Sequence, residues 1–124
     1  MPTYIILTKL SPQALTEPSA VEEFSRRVEE QVRRDCPNVR WIENYAILGP
    51  YDYLDVFEAS GEEEAVKLSL IVRSVGHATT ETWIATPWER FKDLARELSR
   101  PEAAATRPDQ PEYAHVRLKG TSGA

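Results

Sequence analysis

The stretch Val39 to Ala59, VRWIENYAILGPYDYLDVFEA, carries two runs of aromatic and branched residues around Gly49-Pro50-Tyr51-Asp52. Aromatic and β-branched side chains suit a pleated, half-buried surface. Gly, Pro and Asp supply the backbone angles and local hydrogen bonds of a turn. The stretch therefore reads as two strands, Val39–Leu48 and Tyr53–Ala59. Their short connection makes them an antiparallel hairpin.

Helices flank the hairpin. Upstream, Ser19 and Glu22 have the spacing of a capping box, and Val21, Phe24, Val28 and Val32 follow as one apolar stripe. Pro37 ends that helix near Cys36. Downstream, Ser60 and Glu63 repeat the capping-box spacing. Ala65, Leu68, Ile71 (or Val72) and Val75 form the second stripe, with Gly76 in the C′ position. Thr3–Thr8 and His77–Ala85 read as the outer two strands in sequence. Thr86-Pro87-Trp88-Glu89 starts a third helix, with Thr at the cap and Pro at its first position. The order is β-α-β-β-α-β plus a helix. It predicts an α+β, ferredoxin-like fold with a four-stranded antiparallel sheet and both crossover helices on one face. The expected domain is 1–99. Beyond it, residues 100–124 lose apolar periodicity and are expected to be a flexible tail.

Composition narrows the function. The 124 residues carry 15 Lys and Arg against 20 Asp and Glu, a net charge of −5. That balance argues against a nucleic-acid backbone binder. The run Tyr4-Ile5-Ile6-Leu7 is too short for a membrane span or a signal peptide, so a soluble, cytoplasmic protein is expected. One cysteine, Cys36, supports neither an internal disulfide nor a thiolate zinc site. No Gly-rich phosphate loop or nucleophile elbow is present, and neither a cofactor nor a metal is expected.

One sheet face is left without helices and must meet water, a ligand or a partner. Small aliphatic residues suit helix packing, which assigns Ile42, Leu48, Leu54 and Val56 to the covered face. Trp41, Tyr45, Tyr53 and Phe57 then fall on the open face. The opposite assignment, with these aromatics in the monomer core, is the alternative. An exposed cluster of that size calls for a partner. The expectation is a homodimer, two sheets packed face to face as a dimeric α/β barrel, with Trp41, Tyr45, Tyr51, Tyr53 and Phe57 as ligand-binding residues between them.

Gly49, Tyr51 and Asp52, in the frame Ile-Leu-Gly-Pro-Tyr-Asp-Tyr-Leu-Asp-Val-Phe-Glu-Ala, resemble the signature of the GYD domain family. The opening Met-Pro-Thr-Tyr-Ile-Ile-Leu-Thr-Lys-Leu and the later Thr80-Glu81-Thr82, preceded by Gly76, are similar to that family too. The resemblance covers residues 1 to 91. Ala14 departs from it, standing where members often carry Gly. The resemblance implies a dimeric α/β-barrel fold and little about chemistry, since the family is largely uncharacterised and the wider barrel class spans monooxygenases, isomerases and ligand sensors.

Three functions stay open: a small-molecule binding or sensing homodimer, a cofactor-independent enzyme, and an interaction module with a filled dimer interface. For the enzyme, Asp52, Asp55, Glu81 and His77 are the acid/base candidates, with Asp55 and Glu81 facing the barrel interior. Asp52 also has a structural reading, as an acceptor for backbone amides in its turn. His77 and Glu81 share a strand face in this reading. They are about 13 Å apart at about 3.3 Å per residue, too far to hold one metal ion together.

Overall fold

The computed structural model describes residues 1–14 and 17–98. Four strands and three helices follow in the expected order: β1 (Thr3–Leu10), α1 (Ser19–Asp35), β2 (Arg40–Ala46), β3 (Tyr53–Glu58), α2 (Glu62–Gly76), β4 (Ala78–Ala85) and α3 (Trp88–Leu98), with a 3-10 turn at Pro12–Ala14. The sheet order is β2-β3-β1-β4. Every adjacent pair is antiparallel, which is the ferredoxin-like arrangement. The expected tail at 100–124 lies outside the described residues.

Register assigns the faces. Tyr4 pairs with Phe57, Ile6 with Asp55 and Thr8 with Tyr53, while Trp41 lies opposite Phe57 on the other side of β3. Opposed residues share a face, because side chains alternate along each strand. Tyr4, Ile6, Leu10, Phe57 and Ala78 pack with Val28 and Val32 of α1 and with Ala65, Leu68, Ile71 and Val72 of α2. Trp41, Tyr53 and Phe57 therefore face the helices, and Leu54 and Val56 face away from them, the reverse of the sequence-based assignment. The reason is volume. Helices seated on a twisted sheet leave deep spaces that large rings fill, so Phe57 is completely buried and stacks on Tyr4 at 5.5 Å. Tyr45 alone of the four aromatics lies opposite Leu54, on the open face, as expected.

The helix ends also differ from the sequence reading. Pro18 occupies the cap position of α1 and no side chain caps it, so Ser19 is its first helical residue. For α2 the capping pair shifts by one residue. Gly61 precedes the helix, and Glu64, in place of Glu63, reaches back to the Ser60 N–H at 2.8 Å and its hydroxyl at 3.0 Å. Its second oxygen accepts from the Asn38 N–H at 3.2 Å. One carboxylate thus ties the start of α2 to the turn before β2. At the other end, the left-handed residue is His77, with φ 49°, and Gly76 remains helical. Gly76 is needed there because a Cβ would stand 2.0 Å from the Phe24 ring of α1. The glycine lets the two helices approach closely.

Residues 1–86 form one compact unit, and α3 belongs to a second. Within α3, Trp88 stacks on Phe91 at 5.2 Å, and Lys92–Glu89 and Arg96–Asp93 pair one turn apart.

Candidate functional site

The Gly49-Pro50-Tyr51-Asp52 turn is held by Asp52. The Asp52 carboxylate accepts the Leu10 N–H at 2.8 Å, across a separation of 42 residues. Its own N–H donates to the Thr8 carbonyl at 2.8 Å, and its carbonyl accepts from the Ile47 N–H at 3.0 Å. The turn is thus fastened to the end of β1 through the Asp52 N–H and side chain, while its carbonyl closes the hairpin onto Ile47. Gly49 adopts φ 150°, a conformation that L side chains rarely take, while the space around it is open. The structural reading of Asp52 is therefore the observed geometry, and its partner is a neighbouring strand in place of the local amides of its own turn.

Tyr51 points a different way. Its hydroxyl donates to the Glu81 carboxylate on β4. The other Glu81 oxygen accepts from Trp83 Nε1 at 3.1 Å. The hydrogen bond to Glu81, with burial, raises the Tyr51 pKa above the ordinary phenol range. Glu81 lies opposite Leu7, and Trp83 opposite Ile5, which places this trio on the open face. The same face carries Ile5, Leu7, Leu54 and Val56 at its centre. Tyr45 flanks it on β2 and Trp83 on β4, 52% and 50% exposed. Leu7 is buried even so, apart from the cluster under the helices. Lys9 and Glu43 lie toward its margins, and Arg40 pairs with Glu58 across β2 and β3 at 3.0 Å.

Asp55 is on the opposite face from Glu81, since it pairs with Ile6 and points under α1. The expectation that both carboxylates face one barrel interior is corrected on this point. Alternation along the strands separates them, and they cannot serve as one acid/base pair. Asp55 accepts a hydrogen bond from Asn44 Nδ2 at 2.7 Å. Burial pushes its carboxyl pKa up, against the lowering effect of that bond. It lines a cleft of about 300 Å³ between α1 and the β2–β3 hairpin, together with Phe24, Trp41 and Tyr53. Burial, with the nearby Asp52 and Asp55 charges, also raises the Tyr53 pKa.

His77 sits exposed in the turn after α2, outside β4, so the shared strand face with Glu81 does not form. Among the described residues no cluster of three or more His, Cys, Asp or Glu is placed to hold a metal ion. No helix there is long and apolar enough to cross a membrane. Cys36 is buried at the end of α1, and burial raises its thiol pKa away from reactivity. The five ligand candidates thus divide between faces. Tyr45 and Tyr51 belong with the open-face group, Trp41 and Tyr53 border the cleft under α1, and Phe57 is core. The cleft is the feature that sequence reasoning missed. Its signal was present in Asp55 and Asn44, polar residues sharing the face of Trp41 and Tyr53, but it is legible only once the face is known.

Comparison with known proteins adds the family. The GYD domain model matches residues 4–95. A protein of Thermus thermophilus, the "glutamine synthetase and cystathionine beta-lyase binding protein", is 33% identical over 87 residues, spanning 70% of this chain and 90% of that protein. Among solved structures, the leucine response regulatory protein of Mycobacterium tuberculosis is similar with a TM-score of 0.48 and 14% identity, over 69% of this chain. The match spans about half of that regulator, 51% of its chain. The Arabidopsis thaliana protein At3g17210 gives a TM-score of 0.45 and 10% identity, over 70% of this chain and 95% of that one.

Proposed function

The chain belongs to the GYD domain family, and from that premise we propose that it is a protein-binding module that works as a homodimer joined through its open sheet face. The observation that carries the reading is the composition of that face: Ile5, Leu7, Leu54 and Val56 in the middle, with Tyr45 and Trp83 at the edges. An apolar patch rimmed by polar groups is the usual mark of an interaction surface. A second copy is the occupant that best suits it. A two-fold contact sets the same surface against itself, so a rim with both signs of charge can pair with itself, and Lys9 and Glu43 supply both signs. Two sheets packing about 10 Å apart would bury the aliphatic centre and leave the rim wet.

Binding to other proteins is carried over from the Thermus relative, which is named for binding two enzymes. Glutamine synthetase and cystathionine beta-lyase are accordingly the first partners to test. The small-molecule reading loses its original ground, because three of the aromatics meant to line an inter-sheet cavity face the helices instead.

Size-exclusion chromatography with light scattering tests the assembly. The wild-type chain is expected at twice its 14.1 kDa mass. Val56→Glu is expected to elute as a folded monomer, and Trp83→Ser to weaken the dimer at least tenfold. A wild-type monomer at high micromolar concentration overturns the self-pairing. Surface plasmon resonance against the two enzymes tests the partner reading, and no binding to either by a well-folded dimer removes them.

A further inference from the structure

We propose that the cleft between α1 and the β2–β3 hairpin is a binding site for a small organic amine, with the ammonium on Asp55 and the apolar body against Phe24, Trp41 and Tyr53. Nothing in the open-face reading requires this site, and the two stand or fall separately. Its volume of about 300 Å³ is at the lower end for small-molecule pockets.

Charge selects the ligand class. The residues lining the cleft include the carboxylates of Asp55 and Glu29 and no Lys, Arg or His. An anionic ligand would enter an uncompensated negative field, whereas a cation would relieve one. Asp55 has room for it. Asn44 engages Oδ1, and among the described residues no hydrogen bond engages Oδ2. A partly buried carboxylate with one amide partner bears a desolvation cost when ionised, and a cation is a partner that offsets that cost. The upward shift of its pKa agrees with a carboxylate that lacks such a partner.

The walls point the same way. Phe24 on α1 faces Tyr53 on β3 with ring centroids 6.3 Å apart and planes within 16°. Trp41 closes the side, tilted against Phe57 at 5.9 Å. Aromatic faces attract cations through their quadrupole and also offer apolar area for a ligand's hydrocarbon part. An amine with an aryl or alkyl body of a few carbons satisfies both demands.

Isothermal titration with phenethylamine, phenethyl alcohol and phenylacetate reads the proposal. These probes share the body and differ in the head group. Phenethylamine is expected to bind at least tenfold more tightly than the alcohol, and phenylacetate not to bind. Asp55→Asn is expected to bring the amine down to the level of the alcohol. Ser25→Trp, which fills the cleft from an exposed helix position, is expected to abolish binding of both. Should Asp55→Asn fail to fold, Ser25→Trp and the three-probe comparison still decide. Equal affinity for amine and alcohol, no binding of any probe, or unchanged amine binding in either folded variant overturns the proposal.

Discussion

A carboxylate can fasten a fold or invite a ligand, and the surroundings decide which. Asp52 fastens. Its bond to the Leu10 N–H satisfies a part-buried donor, so Asp52→Ala leaves that donor without a partner. The expected loss is about 1–3 kcal/mol in urea unfolding, and Asp52→Asn, which keeps an acceptor oxygen, recovers most of it. Asp55 does the opposite. Its folded pKa is raised, so the folded state holds a proton more readily than the unfolded chain. Stability contributed by the protonated acid is present below the ordinary carboxylate pKa of 3.8 and is lost as pH rises through the higher folded value. Asp55→Asn is therefore expected to unfold at a higher urea concentration than wild type at pH 7. The gap should narrow as pH falls toward the unfolded-state pKa. A gap that widens on acidification would show a paired carboxylate instead. Gly76 fastens by its absence of a side chain. Gly76→Ala drives a methyl group into the Phe24 ring and should cost about 1–3 kcal/mol, with a change in the near-ultraviolet aromatic signal.

Helix α2 owes its start to one side chain. Burial works against the Glu64 carboxylate, but the hydrogen bonds from Ser60 and Asn38 outweigh it and hold its pKa below the usual range. A lowered carboxylate pKa contributes stability above the ordinary value of 4.5, and that stability disappears as pH falls through the folded value. Glu64→Ala is expected to cost about 1 kcal/mol at pH 7, the usual worth of a cap, and less at pH 3. Thermal unfolding at the two pH values checks it. The same element shows what sequence could convey. Residues 62–76 follow one clear apolar period, and the fold order followed from such periods and from the hairpin turn. The exact cap did not follow, because Glu63 and Glu64 are chemically equivalent and only the backbone path chooses between them. The faces of β2 and β3 were ambiguous for a related reason. Trp41-Ile42 and Val56-Phe57 are apolar in both phases of the alternation, and a register shift between Trp41 and Glu43 displaces the phase within β2. Asp52 was legible as a turn residue, but its strand partner was not, since that bond joins distant parts of the chain.

For the molecule as a whole, the sheet order carries a cost in time. β1 lies between β3 and β4, so its two neighbours are made long after it is. A growing chain presents Tyr4, Ile5, Ile6 and Leu7 before either neighbour is made, with both strand edges open until residues 53–58 and then 78–85 have emerged. Such an unpaired apolar segment is a seed for association with other unfinished chains. Chains stopped before β4 are expected to aggregate on release, while chains reaching Thr86 remain in solution, and a ribosome-release sedimentation assay with nested stop codons separates the two. During synthesis, then, the demand for a chaperone is expected to fall on β1 and to end when β4 arrives.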